Sequence, residues 1–195
     1  MKFLGLTLQS DLGWDSTVED MCNRIRRSAY KIRTEGRLFD IWDRKILFGG
    51  WIMGSLYANA IAYLPLLTVT QRQKMQVAMN AGVRAVVNMP RYGQANLSSI
   101  REKLKIPSID QITEKVILSA SWKNRFQYRS QKNDMSGPKT RARSKGNIPQ
   151  PKQTGLHGKM ISTALVSGWN RLPLAIKDEE DAQKAKQLIK KFAFS

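Results

Sequence analysis

The stretch 16-STVEDMCNRIRRSAYKIRT-34 decides the fold class. Val18, Met21, Cys22, Ile25, Ala29 and Ile32 recur at spacings of three and four, the repeat of a single apolar face on an α-helix. Ser16 and Glu19 stand at capping-box spacing and predict the helix start, while Gly36 predicts its stop near Thr34. Arg24, Arg27 and Lys31 fall on the side opposite the apolar row, with Arg26 and Arg33 at its flank. Such a row serves either as a solvated face or as a face for phosphates. A helix with one apolar face needs neighbours to cover it, so the rest of the chain is read for further helices.

Downstream, the pattern predicts a second helix from Asp40 to about Tyr63. It is apolar on nearly all sides after Lys45, as expected of a central helix covered by its neighbours. Gly49, Gly50 and Gly54 lower its propensity, and close approach of another element is the expected compensation. A capping box at Thr70 to Gln73 predicts a third helix to about Asn88, ended by Met89-Pro90. After a polar loop, Ser98 or Ser99 opens a short helix to Leu104, and Ile106-Pro107 breaks it. Ser108 to Gln111 then has capping-box form and heads a helix to about Tyr128, with Ile112, Val116, Ile117, Ala120 and Phe126 on its core side. Trp122, Phe126 and Tyr128 interleave with Lys123, Arg125 and Arg129, a mix that can stack on bases. The spacing of four between Trp122 and Phe126 favours core packing for both.

Upstream, the loose alternation of Phe3 to Leu8 followed by Gly13-Trp14 predicts a short strand or hairpin. Residues 129–155 are rich in Gly, Pro, Ser, Gln and Asn and carry seven Lys or Arg against one Asp, which predicts a flexible basic linker. Order is expected to resume near Gly158, with an apolar stretch from Met160 to Val166, the run Gly168-Trp169-Asn170-Arg171-Leu172-Pro173, and a last helix from Asp178. Four acids would occupy its first turn, with Lys190 and Lys191 at its end, matching the helix dipole. The expected fold is mainly α: a helical bundle with a short N-terminal β-strand or hairpin and a C-terminal helix after a basic linker. Its segments are 1–15, 16–128, 129–157 and 158–195.

The 33 Lys and Arg against 15 Asp and Glu leave +18, a field that steers polyanions. By segment the balance is +2 for 1–71, +7 for 72–128, +6 for 129–155 and +3 for 156–195. The surplus therefore concentrates between the third helix and the linker. RNA, DNA or RNA–DNA hybrid is the first partner class this implies, and an anionic membrane the second. Ile46 to Gln71 holds 26 consecutive uncharged residues, enough to span a bilayer. Its glycines, Asn59, Pro65, tyrosines and threonines make a buried helix with a Pro break the better reading. MKFLGLTLQS does not read as a secretory signal, and the single Cys22 fits core filler in a reducing nuclear or cytoplasmic setting.

Complete catalytic centres are not visible. His157 is the one histidine, without the partners of a zinc site or triad, and there is neither a phosphate-binding G-x-x-x-x-G-K-[ST] loop nor a dinucleotide fingerprint. Asp178, Glu179, Glu180 and Asp181 form the one acidic cluster, better explained by a helix start than by metal. No cofactor is expected in this chain.

Taken in order, these pieces resemble the C-terminal part of a non-LTR (LINE-like) retrotransposon reverse transcriptase of the jockey, CR1 or RTE kind. Lys2-Phe3-Leu4-Gly5-Leu6-Thr7-Leu8 followed by Trp14 is similar to that family's K-[FY]-L-G-[VI]-x-[LF]…W segment, which corresponds to its primer grip. The basic helix at 16–34, the apolar helix with Leu56-Tyr57 and Tyr63, and the segment Met75 to Val87 resemble its thumb helices. Leu104-Lys105-Ile106-Pro107-Ser108-Ile109 is similar to the L-G-[IL]-P-S-[IL] step, with Lys105 where glycine is usual. Gly168-Trp169-Asn170-Arg171-Leu172-Pro173, Ile176 and Phe192 look like the W-N-x-L-P…I…F ending.

The resemblance implies a primer-grip-like strand at 1–15 bearing Phe3, Leu4 and Gly5, and a thumb-like helical domain at 16–128. It makes Arg24, Arg27, Lys31 and Arg84 the candidates for riding along a template–primer duplex. Lys139, Arg141, Arg143 and Lys145 are further phosphate candidates in the basic linker. The family's [FY]-x-D-D aspartates lie upstream of the L-G segment and have no counterpart here. The chain alone would then be non-catalytic, a part of an RNA-directed DNA polymerase whose Mg2+ belongs to the full-length enzyme. A protein-interaction module docking through the apolar 46–67 helix, on the missing fingers and palm or another partner, is the second reading. A basic membrane-associated protein is the third.

Overall fold

The computed structural model describes residues 2–3, 6–7, 13–90, 96–133, 145–150 and 161–194, and the chain is mainly helical. It divides into two compact units, one of residues 1–63 and 67–109, the other of 64–66 and 110–195.

In the first unit, β1 (Lys2–Phe3) and β2 (Leu6–Thr7) pair antiparallel, with Lys2 opposite Thr7 and Phe3 opposite Leu6. Helix α1 (Asp15–Thr34) follows, and Val18, Met21, Cys22, Ile25, Ala29 and Ile32 are all buried along it, as their spacing predicts. The Ser16–Glu19 capping box is not formed. The N-cap falls two residues earlier, at Trp14, with no side-chain cap, so Ser16 lies inside the first turn. The Trp14 ring instead meets Tyr63, their centroids 6.4 Å apart. Burial pushes the Cys22 thiol up from its ordinary value, which keeps it neutral as core filler.

Asp40 caps the next helix by accepting from the Trp42 and Asp43 amides at 2.7 and 2.8 Å. The helix starts as α2 (Ile41–Leu47), widens into a π-helical turn over Phe48–Met53 and closes as α3 (Gly54–Tyr57). Asn59, at φ 56, then breaks it before the short α4 (Ala60–Tyr63). Phe48, Ile52, Leu56, Ala60 and Tyr63 are buried, a repeat of nearly four for which the wider π turn keeps one line. The expected all-round covering is not found: Gly49, Gly50 and Gly54 are exposed, and a side-chain carbon at Gly49 or Gly50 would meet nothing within 4 Å. The close approach lies on the opposing element. Helix α5 (Val69–Val86) carries Gly82, where a Cβ would stand 2.5 Å from Ile52 Cδ1 and 2.9 Å from Phe48 Cε2.

The capping box of α5 is formed by Thr68 and Gln71, not Thr70 and Gln73, because the helix starts two residues earlier than expected. Gln71 Nε2 also donates to Asp15 Oδ1 at 2.9 Å, tying the start of α5 to that of α1. Met75, Met79, Val83 and Val86 bury against the α1 row, each such side chain contributing roughly 1.5–3 kcal/mol. Helix α6 (Leu97–Leu104), capped by Asn96, completes the unit. Helices α5 and α6 end alike. Asn88 at φ 55 and Lys105 at φ 52 are left-handed, and the amides after them reach back to Arg84 O and Arg101 O at 2.8 Å each, closing Schellman motifs. No single helix among the described residues is long and apolar enough to cross a membrane, although a bent pair over 41–57 and 60–66 passes by length and composition.

The second unit contains α7 (Ile109–Lys123) from Asp110 onward, α8 (Arg125–Asn133), α9 (Ile161–Arg171), α10 (Leu174–Lys177) and α11 (Ala182–Phe194). The second unit begins at Asp110 because Leu118 and Trp122 join one core with Trp169, Leu172, Ile176 and Ile189. A turn at Asn124 interrupts the helix expected to run to Tyr128. Phe126 is consequently 67% exposed, contrary to its expected core position, while Tyr128 is buried beside Trp169 with centroids 5.4 Å apart. Arg125 lies 3.8 Å from the Trp122 ring centroid and 4.4 Å from that of Phe126, so the aromatic and basic residues of this run stack on one another.

The expected flexible linker is ordered at both described ends. Residues 129–133 continue α8, and 145–150 are held by the Gly168-Trp169-Asn170 run. Trp169 Nε1 donates to Gly146 O at 2.9 Å. The Asn170 amide pairs with both backbone groups of Ile148, accepting from its N–H at 2.9 Å and donating to its C=O at 2.8 Å. The buried Lys177 ammonium donates to Lys145 O at 3.0 Å and Asn147 Oδ1 at 2.8 Å. Gly168 is required for this packing, since a Cβ there would fall 2.5 Å from Ser121 Oγ. The four acids precede the last helix and do not fill its first turn: Asp181 Oδ1 caps the Gln183 and Lys184 amides, and Glu179 pairs with Lys184 at 2.8 Å.

Candidate nucleic-acid interface

The sequence places the basic row of α1 on a helix whose apolar side is fixed by α5, so the flanks of that contact are where charge can line a recess. One such recess is present in the first unit. A groove of about 510 Å³ is lined by Arg26, Ala29, Tyr30 and Arg33 of α1 and by Val77, Ala78, Ala81 and Arg84 of α5. Between the arginines it is lined by alanines, Val77 and Tyr30, and no carboxylate is among its described lining residues.

Three guanidinium groups border it. Arg33 donates to Met89 O at 2.7 Å, beside the left-handed end of α5, which fixes its position while leaving other N–H groups of the fork. Arg26 Nη1 lies 3.2 Å from Asn23 Oδ1 and 3.6 Å from Glu19 Oε1, an exposed pairing of small energy. Arg84 Nε is buried without a hydrogen-bond partner. An unsatisfied buried donor costs about 1–3 kcal/mol, and an anion drawn toward the groove relieves part of the repulsion among the three charges. Tyr30, 69% exposed, stands at the rim with its ring open to solvent.

Of the residues expected from sequence, Arg84 is in this groove. Arg24, Arg27 and Lys31 are exposed on α1 but do not line it. The arginines brought together with Arg84 are Arg26 and Arg33, the two at the flank of the helix, together with Tyr30. Lys145 is exposed and belongs to the second unit, where its carbonyl and not its ammonium makes the hydrogen bond to Lys177. The backbone of Phe3 lies in β1, while Leu4, Gly5, Lys139, Arg141, Arg143 and His157 lie outside the described residues. Among the described residues no group of three or more His, Cys, Asp or Glu could hold a metal ion.

The groove's described lining residues are arginines, a tyrosine and aliphatic side chains, a composition that favours anions. Comparison with protein-family models, curated proteins and solved structures finds no match to the chain.

Proposed function

We propose that this chain binds a nucleic-acid backbone, as the primer-grip and thumb-like region of a non-LTR retrotransposon reverse transcriptase. The observation that carries the binding is the α1–α5 groove, where three arginines and, among the described residues, no carboxylate border a channel on a chain of net charge +18. Contact of this kind reads phosphate and shape, so little sequence preference is expected.

The family part of the reading rests on motif order, and Lys105 supports it. Glycine is usual at that position in the resembled family, and here the position is left-handed, where glycine sits without strain. The short β1–β2 hairpin would then serve as the grip strand and α1 and α5 as thumb helices. The polymerase aspartates and their Mg2+ would be supplied by other parts of the enzyme. The test is titration against RNA–DNA hybrid, duplex DNA and single strands at several salt concentrations. Binding that weakens linearly in log salt, with a slope reduced in an Arg26→Gln, Arg84→Gln double variant, is the expected result. Absence of binding at ~50 mM salt, where phosphate contacts dominate, rejects it.

A second reading, docking on another part of the same polyprotein, is favoured by one observation. Leu38, Phe39, Trp42 and Ile46 are 95%, 47%, 58% and 71% exposed around the start of α2, an apolar group that water leaves poorly satisfied. Sedimentation of the chain alone tests it, with self-association that is lost in Trp42→Ser, Ile46→Ser as the expected outcome.

A further inference from the structure

We infer that the α1–α5 groove seats one unstacked nucleotide, so that the strand it prefers is single-stranded or carries an unpaired end. This rests on the nucleic-acid reading above and goes beyond backbone contact.

A duplex presents phosphates on a smooth ridge and keeps its bases stacked inside, so a surface that reads backbone alone needs charge without a recess. Here charge borders a recess of about 510 Å³, within the range that encloses a small organic group. Ala29, Val77, Ala78 and Ala81 line it with small or aliphatic side chains, Val77 64% exposed, and offer no hydrogen-bonding group to a base edge. Such a lining accepts the π-face of any base. Tyr30 at the rim supplies the aromatic partner, and its exposed ring has no neighbouring aromatic side chain within stacking contact among the described residues. Arg26, Arg33 and Arg84 border the same recess and suit the phosphates on either side of that base. Apolar lining, open aromatic ring and flanking guanidinium groups are the parts of a stacking platform set in an electrostatic funnel.

The experiment uses the full chain and fluorescence anisotropy at ~50 mM salt with three probes: a short oligothymidylate, an abasic phosphodiester of the same length, and a duplex. Wild type should bind the oligothymidylate about tenfold more tightly than the abasic strand, the size of one stacked base. Tyr30→Ala should erase that preference by weakening oligothymidylate binding about tenfold, and Tyr30→Phe should keep it. Arg84→Gln should weaken both strands alike. Tyr30 is exposed, so its truncation leaves the core intact, and circular dichroism checks the fold of the Arg84 variant. Equal binding of oligothymidylate and abasic strand, or a preference that survives in Tyr30→Ala, overturns the nucleotide seat. If the probes then bind with a normal salt slope, backbone binding stands without it; if none of the three binds, both readings fail together.

Discussion

Lys105 adopts φ 52 and ψ 42 at the end of α6, a conformation in which the Cβ of an L-residue crowds the following carbonyl. The Schellman bonds of Lys105 to Glu102 O and Ile106 to Arg101 O hold it there, and the buried Leu104 and Ile106 side chains give them something to anchor. Lys105→Gly removes the strain and adds some unfolded-chain entropy, so a net gain of about 0.5–1 kcal/mol is expected, read as a higher urea midpoint with unchanged slope. A lower midpoint would show that the lysine stem packs in a way that outweighs the strain. Glycines elsewhere separate by what faces them. Gly50→Ala points into open space and should stabilise by about 0.5–1 kcal/mol through helix propensity. Gly82→Ala should destabilise by about 1–3 kcal/mol, because Phe48 and Ile52 of the π-helical turn must move aside. Thermal unfolding of the two variants side by side decides the point, and a Gly82→Ala as stable as wild type would place α5 farther from that turn.

At the level of elements, the Trp169-Asn170 run acts as a clamp on residues 145–148. Asn170→Ala leaves the N–H and C=O of buried Ile148 without partners, at a cost of about 1–3 kcal/mol, and the Ile148 amide should lose its hydrogen-exchange protection. Unchanged protection would mean that Trp169 and Lys177 hold the segment without it. This contact was hidden in the sequence, since neither periodicity nor composition tells a polar motif which strand of backbone it will satisfy. The face of α1 was legible because six apolar residues repeat within one helix, a local property. Helix starts were not: Ser16, Thr70 and their acidic or amide partners have capping-box spacing, and a shift of two residues moved the caps to Trp14 and Thr68. The groove was half legible. Arg84 could be picked out by charge, but which flank of α1 meets α5, and hence whether Arg24 or Arg26 faces the recess, is a packing outcome. At the start of α11 the Lys184 ammonium and the Asp181 amide hold the Glu179 carboxyl below its ordinary 4.5. A carboxyl depressed on folding stabilises above its unfolded value and loses that contribution as pH falls through the folded one. Stability should therefore drop below about pH 4.5 less steeply in Glu179→Gln than in wild type, followed by acid titration of the circular dichroism signal.

For the molecule as a whole the dominant quantity is +18 on 195 residues. Like charges at this density repel in the compact state more than in the expanded one, so the folded form bears a standing electrostatic cost. Salt shortens the Debye length from about 30 Å at 0.01 M to about 8 Å at 0.15 M, which screens that repulsion. It also screens ion pairs such as Arg171–Glu114 at 2.7 Å and Lys184–Glu179 at 2.8 Å, but exposed pairs of this kind contribute only about 0–1 kcal/mol each. The repulsive term should win, and the melting temperature should rise by several degrees between those two salt concentrations. Nucleic-acid affinity responds to the same change in the opposite direction, because each neutralised phosphate releases a counterion whose gain shrinks as salt rises. One titration read by two signals thus separates the field of the whole molecule from its use at the groove. Arg26→Gln, Arg84→Gln removes two of the charges, so it should flatten the binding slope clearly while barely altering the salt dependence of melting. A melting temperature that falls with salt would place the net energetics in attractive pairs and would contradict the repulsive account.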